Sequence, residues 1–144
     1  MTQDIEINFV VSDSLNALET YRKIFEVDIL EVTNFPQGSN EAIFTIYGMK
    51  FHMLDENAEY GLIAPSGEIQ ATIWFNVTVP NIMQTHHNAL RNGCVELQAV
   101  TPMLDYGVSN SLFKDPFGYL WMLHEQHEHV ADAMRDDILA EVFE

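Results

Sequence analysis

The stretch Phe113–His124, F-K-D-P-F-G-Y-L-W-M-L-H, decides how the chain is read. Asp115-Pro116-Phe117-Gly118 carries turn chemistry, since proline fixes φ and glycine tolerates φ > 0. Ser111-Leu112-Phe113 enters the turn, and Tyr119-Leu120-Trp121-Met122-Leu123 leaves it, rich in aromatic and apolar side chains. The segment therefore predicts strand, tight turn, strand. A weaker copy stands earlier, at Ile43–Leu54, I-F-T-I-Y-G-M-K-F-H-M-L. Laying Gly48 on Gly118 puts Phe51 on Trp121, His52 on Met122 and Met53 on Leu123.

A second pair of matching segments lies upstream of these. Val11-Ser12-Asp13 falls on Val79-Pro80-Asn81. Each triplet follows an apolar run, Ile7–Val10 and Trp74–Thr78, and precedes a helical pattern. The chain thus reads as one module used twice, and a repeat of this kind governs the whole fold.

These residues carry a resemblance. The chain is similar to the vicinal oxygen chelate superfamily of glyoxalases, bleomycin-resistance proteins and extradiol dioxygenases, and within it to the PhnB-like branch. The matching segments are Val10-Val11-Ser12-Asp13, the helix end Tyr21-Arg22-Lys23-Ile24-Phe25, and Asp115–His124, over about residues 5–126. The resemblance implies an α+β fold of paired βαβββ modules forming a curled mixed half-barrel sheet. Where the family usually has glycine after the helix-ending Phe25, this chain has Glu26.

Composition bounds the rest. The 144 residues suit a single glyoxalase-like domain of two halves, and an apolar content of 47% suffices for a sizeable core. Six Lys and Arg stand against 22 Asp and Glu, a net charge of −16 with His neutral. Such a chain repels phosphate backbones and anionic lipid, so neither nucleic acid nor membrane is an expected partner. Cys94 is the one cysteine, so no intrachain disulfide can form; it reads as a small buried hydrophobe. The acidic start M-T-Q-D-I-E has no apolar h-region and no run approaches a membrane span, which predicts a cytoplasmic protein.

In order, the first module is expected over about residues 4–55. Ile5–Val11 is its first strand, and Ser12, Asp13 and Ser14 supply helix-capping oxygens. Leu15, Leu18, Tyr21, Arg22 and Phe25 recur at helical spacing. Val27–Phe35 predicts a strand, followed by the turn Pro36–Asn40 and a hairpin about Gly48. Residues 56–70 form the expected linker, where Tyr60, Leu62 and Ile63 either close a lid or lie against the surface.

The second module is expected over about residues 71–126. It opens with strand Thr72–Val79 and a helix stopped by Asn92-Gly93. The adjacent His86 and His87 point about 100° apart, so one should be covered and the other exposed. Val95–Val100 predicts a strand and Thr101–Asn110 a loop. His124-Glu125-Gln126-His127-Glu128-His129 holds ligand types without a fixed metal geometry. Val130, Met134, Ile138 and Val142 predict an amphipathic C-terminal helix over about 129–143, packed on the sheet or on a second subunit.

The resemblance implies a cup whose metal-dependent members hold one divalent ion with four side chains from the first and last strands of each half. Carried onto this sequence, those positions are Glu6, Trp74, His52 and Met122. Only Glu6 and His52 offer donors for a hard ion. No cofactor is therefore expected, with a divalent metal on Glu6 and His52 as the alternative. As a pair the two are also candidate acid and base, or polar anchors for a ligand, while Trp74 and Met122 supply apolar wall. Strand alternation should turn Phe75 away from Trp74 and Trp121 away from Met122.

Three functions follow as expectations. The first is a metal-free binding protein for a small amphipathic or aromatic molecule, with a homodimer as the assembly. The second is a metal-dependent lyase, isomerase or dioxygenase, and the third a non-catalytic structural or regulatory dimer. No nucleotide-binding glycine loop supports a methyltransferase, and no Ser-His-Asp or Cys-His arrangement stands out.

Overall fold

The computed structural model describes residues 3–127. The expected C-terminal helix lies outside the described residues. The chain divides into two compact units, with the boundary between Ala71 and Thr72.

In the first unit the elements are β1 (Ile7–Val11), α1 (Ser14–Ile24), β2 (Val27–Val32), β3 (Glu41–Ile46) and β4 (Met49–Asp55). The sheet order is β1-β4-β3-β2, with β1 parallel to β4 and the other pairs antiparallel. Strand alternation separates two faces. Ala42, Phe44, Ile46, Phe51 and Met53 are buried, as are Ala17, Leu18, Tyr21 and Ile24 of α1. Tyr21 stacks on Phe44 at 6.3 Å, Phe44 on Phe51 at 5.8 Å, and Phe9 meets Phe51 edge-on at 6.1 Å. Burying a side chain of this size contributes about 1.5–3 kcal/mol, so this aromatic row makes the core between helix and sheet. Arg22 lies off that stripe, exposed and paired with Glu19 at 2.9 Å.

The β3–β4 hairpin turns on Tyr47 and Gly48, whose φ values of 48° and 86° make the two-residue turn that follows strand twist. The helix ends differently. Phe25 leaves α1 in extended backbone, φ −120°, while its N–H donates to the Tyr21 carbonyl. Glu26 is not among the residues with positive φ, so no glycine is needed there.

The second unit repeats the plan with β5 (Trp74–Thr78), α2 (Ile82–Arg91), β6 (Val95–Met103), β7 (Val108–Lys114) and β8 (Leu120–Gln126). Its order is β5-β8-β7-β6, and β5 runs parallel to β8. Phe75 packs on Trp121 at 4.5 Å, and His86 of α2 meets Phe113 edge-on at 6.1 Å. Gly93 follows α2 with φ +91°, and a Cβ there would approach Pro116 to 3.3 Å, so helix end and turn lie close.

The turn itself is organised by Asp115. Its Oδ1 accepts the N–H groups of Phe117 and Tyr119 at 2.9 and 3.0 Å, and its Oδ2 the indole N–H of Trp121 at 2.8 Å. The spacing D-P-F-G-Y-L-W thus binds the first residue of the turn to the last. Lys114 pairs with Leu120, so this turn is longer than the one at Tyr47-Gly48.

The expected loop at Thr101–Asn110 is mostly strand. β6 runs on through Pro102 to Met103, a 3-10 turn occupies Leu104–Tyr106, and β7 starts at Val108. Proline is compatible with this because β6 is the sheet edge, where half of the backbone N–H groups face away from the ladder.

Each helix start is capped twice. Asp13 and Asn81 accept from the N–H of Asn16 and Gln84. A carboxylate from the last strand of the same module adds a second cap. Asp55 Oδ1 accepts from Ser14 N–H at 2.7 Å and Ser14 O–H at 2.6 Å. Glu125 Oε1 accepts from Ile82 N–H at 3.0 Å. Asp55 Oδ2 also takes the N–H groups of Gly38 and Asn40, at 2.8 and 2.9 Å. Burial pushes the Asp55 carboxyl up, but these hydrogen bonds, the Ser14 hydroxyl's first, outweigh it and hold the group below the usual carboxylate value.

Because the folded value is depressed, Asp55 stabilises the fold above the unfolded carboxylate pKa of about 4, and this contribution is lost as pH falls through the folded value. Asp55→Asn turns a donating amide toward N–H groups that need an acceptor, and is expected to cost about 2–4 kcal/mol at pH 7. Urea unfolding from pH 2 to 7 checks both points: the variant should be weaker at neutral pH and show a flatter acid limb.

Candidate functional site

The face of each sheet turned away from its helix carries the candidate residues. In the first unit β4 presents Lys50, His52 and Leu54 there, with Asn8 of β1 and Glu41 and Ile43 of β3 as neighbours. Glu6 lies just before β1. It reaches His52, whose Nδ1 stands 2.9 Å from Glu6 Oε1. Asn8 donates to the same oxygen at 3.2 Å, and Lys50 Nζ stands 3.6 Å from Glu6 Oε2. The hydrogen bond with His52, then that from Asn8, holds the Glu6 carboxyl below its ordinary value.

The far nitrogen of His52, Nε2, is buried without a hydrogen-bond partner, although Glu41 Oε2 lies 3.5 Å away. The His52 side chain is 17% exposed. An imidazole oriented at Nδ1 by a carboxylate leaves Nε2 as the atom that can exchange a proton or bond a ligand. The pair can therefore serve as acid and base or as a polar anchor.

In the second unit Trp74 and Met122 share the sheet face away from α2. Trp74 is 59% exposed, while the flanking Phe75 and Trp121 are buried, as strand alternation requires. Trp74 is in register with Leu120, and Asn76 is the residue beside Met122. In the first unit Asn8, likewise, is the residue in register with His52. Laying Val11-Ser12-Asp13 on Val79-Pro80-Asn81 also lays Asn8 on Asn76, so the repeat held the signal for both asparagines.

Of the other sequence candidates, the α2 histidines lie off these faces. His86 is buried on α2, its Nε2 2.8 Å from Glu96 Oε2, and His87 is exposed. His124 ends the pairing of β5 with β8, opposite Thr78, and alternation puts it on the same open face as Met122. Glu128 and His129 lie outside the described residues. The structure adds a row the sequence did not suggest: Ser109 Oγ stands 2.9 Å from His127 Nε2, and Glu125 Oε2 stands 3.7 Å from His127 Nδ1. Ser109 is buried and Glu125 caps α2, so the row ties His127 to the sheet.

Solved structures can now be set beside this geometry. FosX, a fosfomycin resistance protein from Listeria monocytogenes, aligns at 14% identity over 94% of this chain and 98% of its own, TM-score 0.65. The PhnB protein of Bacillus cereus aligns at 18% identity over 85% of this chain and 99% of its own, TM-score 0.63. TioX of Micromonospora sp. ML1 aligns at 15% identity over 90% and 100%, TM-score 0.62. The chain has the vicinal oxygen chelate fold. No family model matches the sequence, and no curated protein matches it. Another structure of Listeria FosX is a complex with Mn(II) and sulfate, at 15% identity and TM-score 0.65.

The vicinal oxygen chelate fold raises the question of a metal, and the donor set here answers it poorly. Glu6 and His52 offer hard donors, but a Trp74 indole has no free lone pair on nitrogen and a Met122 thioether is soft. Among the described residues no group of three or more His, Cys, Asp and Glu is placed to hold an ion. Of the four positions, only Glu6 and His52, both in the first unit, carry donors suited to a hard divalent cation.

Cys94 is held away from the reactive thiolate form. It is buried, and burial together with the nearby Asp115 charge pushes its thiol up to about 12. Iodoacetamide at pH 8 is expected to leave the native protein unlabelled and to modify Cys94 fully in denaturant; rapid native labelling would contradict this placement.

Proposed function

We propose that the chain is a small-molecule-binding protein that takes its ligand without a bridging metal. The observation that carries this reading is the side-chain chemistry of the second sheet. Trp74 and Met122 stand where the resemblance puts ligand-strand donors, and Trp74 displays an aromatic surface to solvent. Exposed tryptophan on a strand face suits amphipathic or aromatic ligands. On the first sheet the Glu6–His52 pair offers a polar anchor. FosX and PhnB proteins share the fold under different names, so the fold alone selects no function.

One observation favours a second reading, a metal-dependent lyase, isomerase or dioxygenase. His52 Nε2 is buried and unbonded 3.5 Å from the Glu41 carboxylate, and a cation there would give it a partner. A homodimer is proposed as well, supported by exposed Ile29, Leu30 and Val32 on the edge strand β2.

Chelator-treated protein and tryptophan emission test these readings together. Trp121 is buried and Trp74 exposed, so Trp74→Phe leaves only the buried reporter. Titration with 8-anilinonaphthalene-1-sulfonate should quench wild-type emission and leave Trp74→Phe nearly unaffected, with Mn²⁺ and Zn²⁺ binding far below one equivalent. One equivalent of metal, lost in His52→Ala, would replace the metal-free reading with the enzymatic one.

A further inference from the structure

The first unit contains a cavity of about 290 Å³ whose walls are Gly38, Glu41, Leu54, Asn57, Tyr60 and Leu62, with the neighbouring turn residues. We infer that this cavity is a binding site for a small organic cation carrying an aromatic or apolar group. The inference rests on the small-molecule-binding reading and names the ligand class and the place where it is held.

The walls are fixed before any ligand arrives. Asn57 and Leu62 exchange backbone hydrogen bonds of 2.9 and 3.0 Å, closing a tight loop with Gly61 at φ 73°. The Asn57 side chain donates to the Gly38 carbonyl at 2.9 Å, tying that loop to the turn before β3. Gly38 and Asn40 are held in turn by Asp55. Two loops joined in this way give a preformed site, which lowers the ordering cost of binding.

The polar groups in the wall are not equivalent. Asp55 is 2% exposed and both its oxygens already accept from Ser14, Gly38 and Asn40. Asn57 spends its oxygen on the Glu59 N–H and its amide on Gly38. Glu41 is different: its side chain is 44% exposed, and His52 Nε2 lies 3.5 Å from its Oε2. It is the wall's exposed carboxylate. Tyr60, 77% exposed at the loop tip, presents its ring, and Leu54 and Leu62 supply apolar surface.

A carboxylate and an exposed aromatic side chain lining one cavity select a cation. The carboxylate contributes a charge-assisted hydrogen bond and the ring a cation–π contact, while an anion would meet Glu41 directly. The net charge of −16 adds long-range attraction of the same sign. Glu41 also joins the cavity to the Glu6–His52 pair, because the same carboxylate lies against His52.

Calorimetric titration with phenethylammonium, 2-phenylethanol and phenylacetate tests this, since the three differ mainly in charge. Phenethylammonium is expected to bind at least about tenfold more tightly than the alcohol, with phenylacetate weakest. Glu41→Gln should bring cation and alcohol within about twofold of each other, and Tyr60→Ala should weaken both. Glu59→Gln, an exposed acid outside the cavity wall, should change nothing. In spectra of the complex, the His52 ring signals should shift. Equal affinity for cation and alcohol overturns the inference, as does equal loss in Glu41→Gln and Glu59→Gln, or no heat with phenethylammonium up to about 10 mM. The Trp74 titration is independent: if it succeeds while phenethylammonium fails, this site alone is wrong, and if it fails while phenethylammonium succeeds, the error lies in the second sheet's role.

Discussion

The carboxylate that reaches from the last strand of a module to the start of its helix is the contact on which each unit depends. The chain leaves the first strand, enters the helix, and returns after two antiparallel strands to lie parallel to where it began. This brings the end of the last strand beside the helix N-terminus. Backbone N–H groups there have no partners within the helix and carry its positive dipole end. Asp55 supplies the missing acceptor in the first unit and Glu125 in the second. Each hydrogen bond to a charged group contributes about 1.5–3 kcal/mol, a large share of the stability of a small unit.

The two units use the same device with different emphasis. Asp55 is buried and gathers four donors, so one side chain fixes α1, the Gly38–Asn40 turn and the end of β4. Glu125 shows one such bond, to Ile82, and its other oxygen faces His127. The heavier fixing in the second unit falls to Asp115, which closes the turn before β8 on Trp121. A buried carboxylate is tolerable in both places because hydrogen-bond donors replace the water it loses. The first unit concentrates its polar fastening at the helix start, and the second at the hairpin.

Much of this plan was legible in the sequence, and the physical reason is range. The D-P-F-G turn, the Asp13 and Asn81 caps and the alternation around Phe75 and Trp121 act over a few residues, where spacing alone shows them. The caps by Asp55 and Glu125 span 41 and 43 residues, and no local pattern points to them. Pro102 misled for a related reason: proline reads as a loop until the strand is known to be an edge. The candidate site divides in the same way. The resemblance placed His52 and Met122 by counting from the turn glycines, but the register that puts Asn8 beside His52 becomes clear only when strands are paired.

The division has a consequence for function. The core face of each sheet is constrained by packing, since a one-methylene change there is felt by its neighbours. The opposite face carries no such duty. Glu6, Asn8, Lys50 and His52 on one sheet, and Trp74, Asn76 and Met122 on the other, can be exchanged without repacking Phe44, Phe51 or Trp121. The alternation that makes the fold readable is therefore what leaves the chemistry free to diverge. At 14–18% identity the solved structures share the frame, which packing preserves. A Trp at position 74 changes what that face can contact without touching the core, and the function of this chain has to be argued from its open faces.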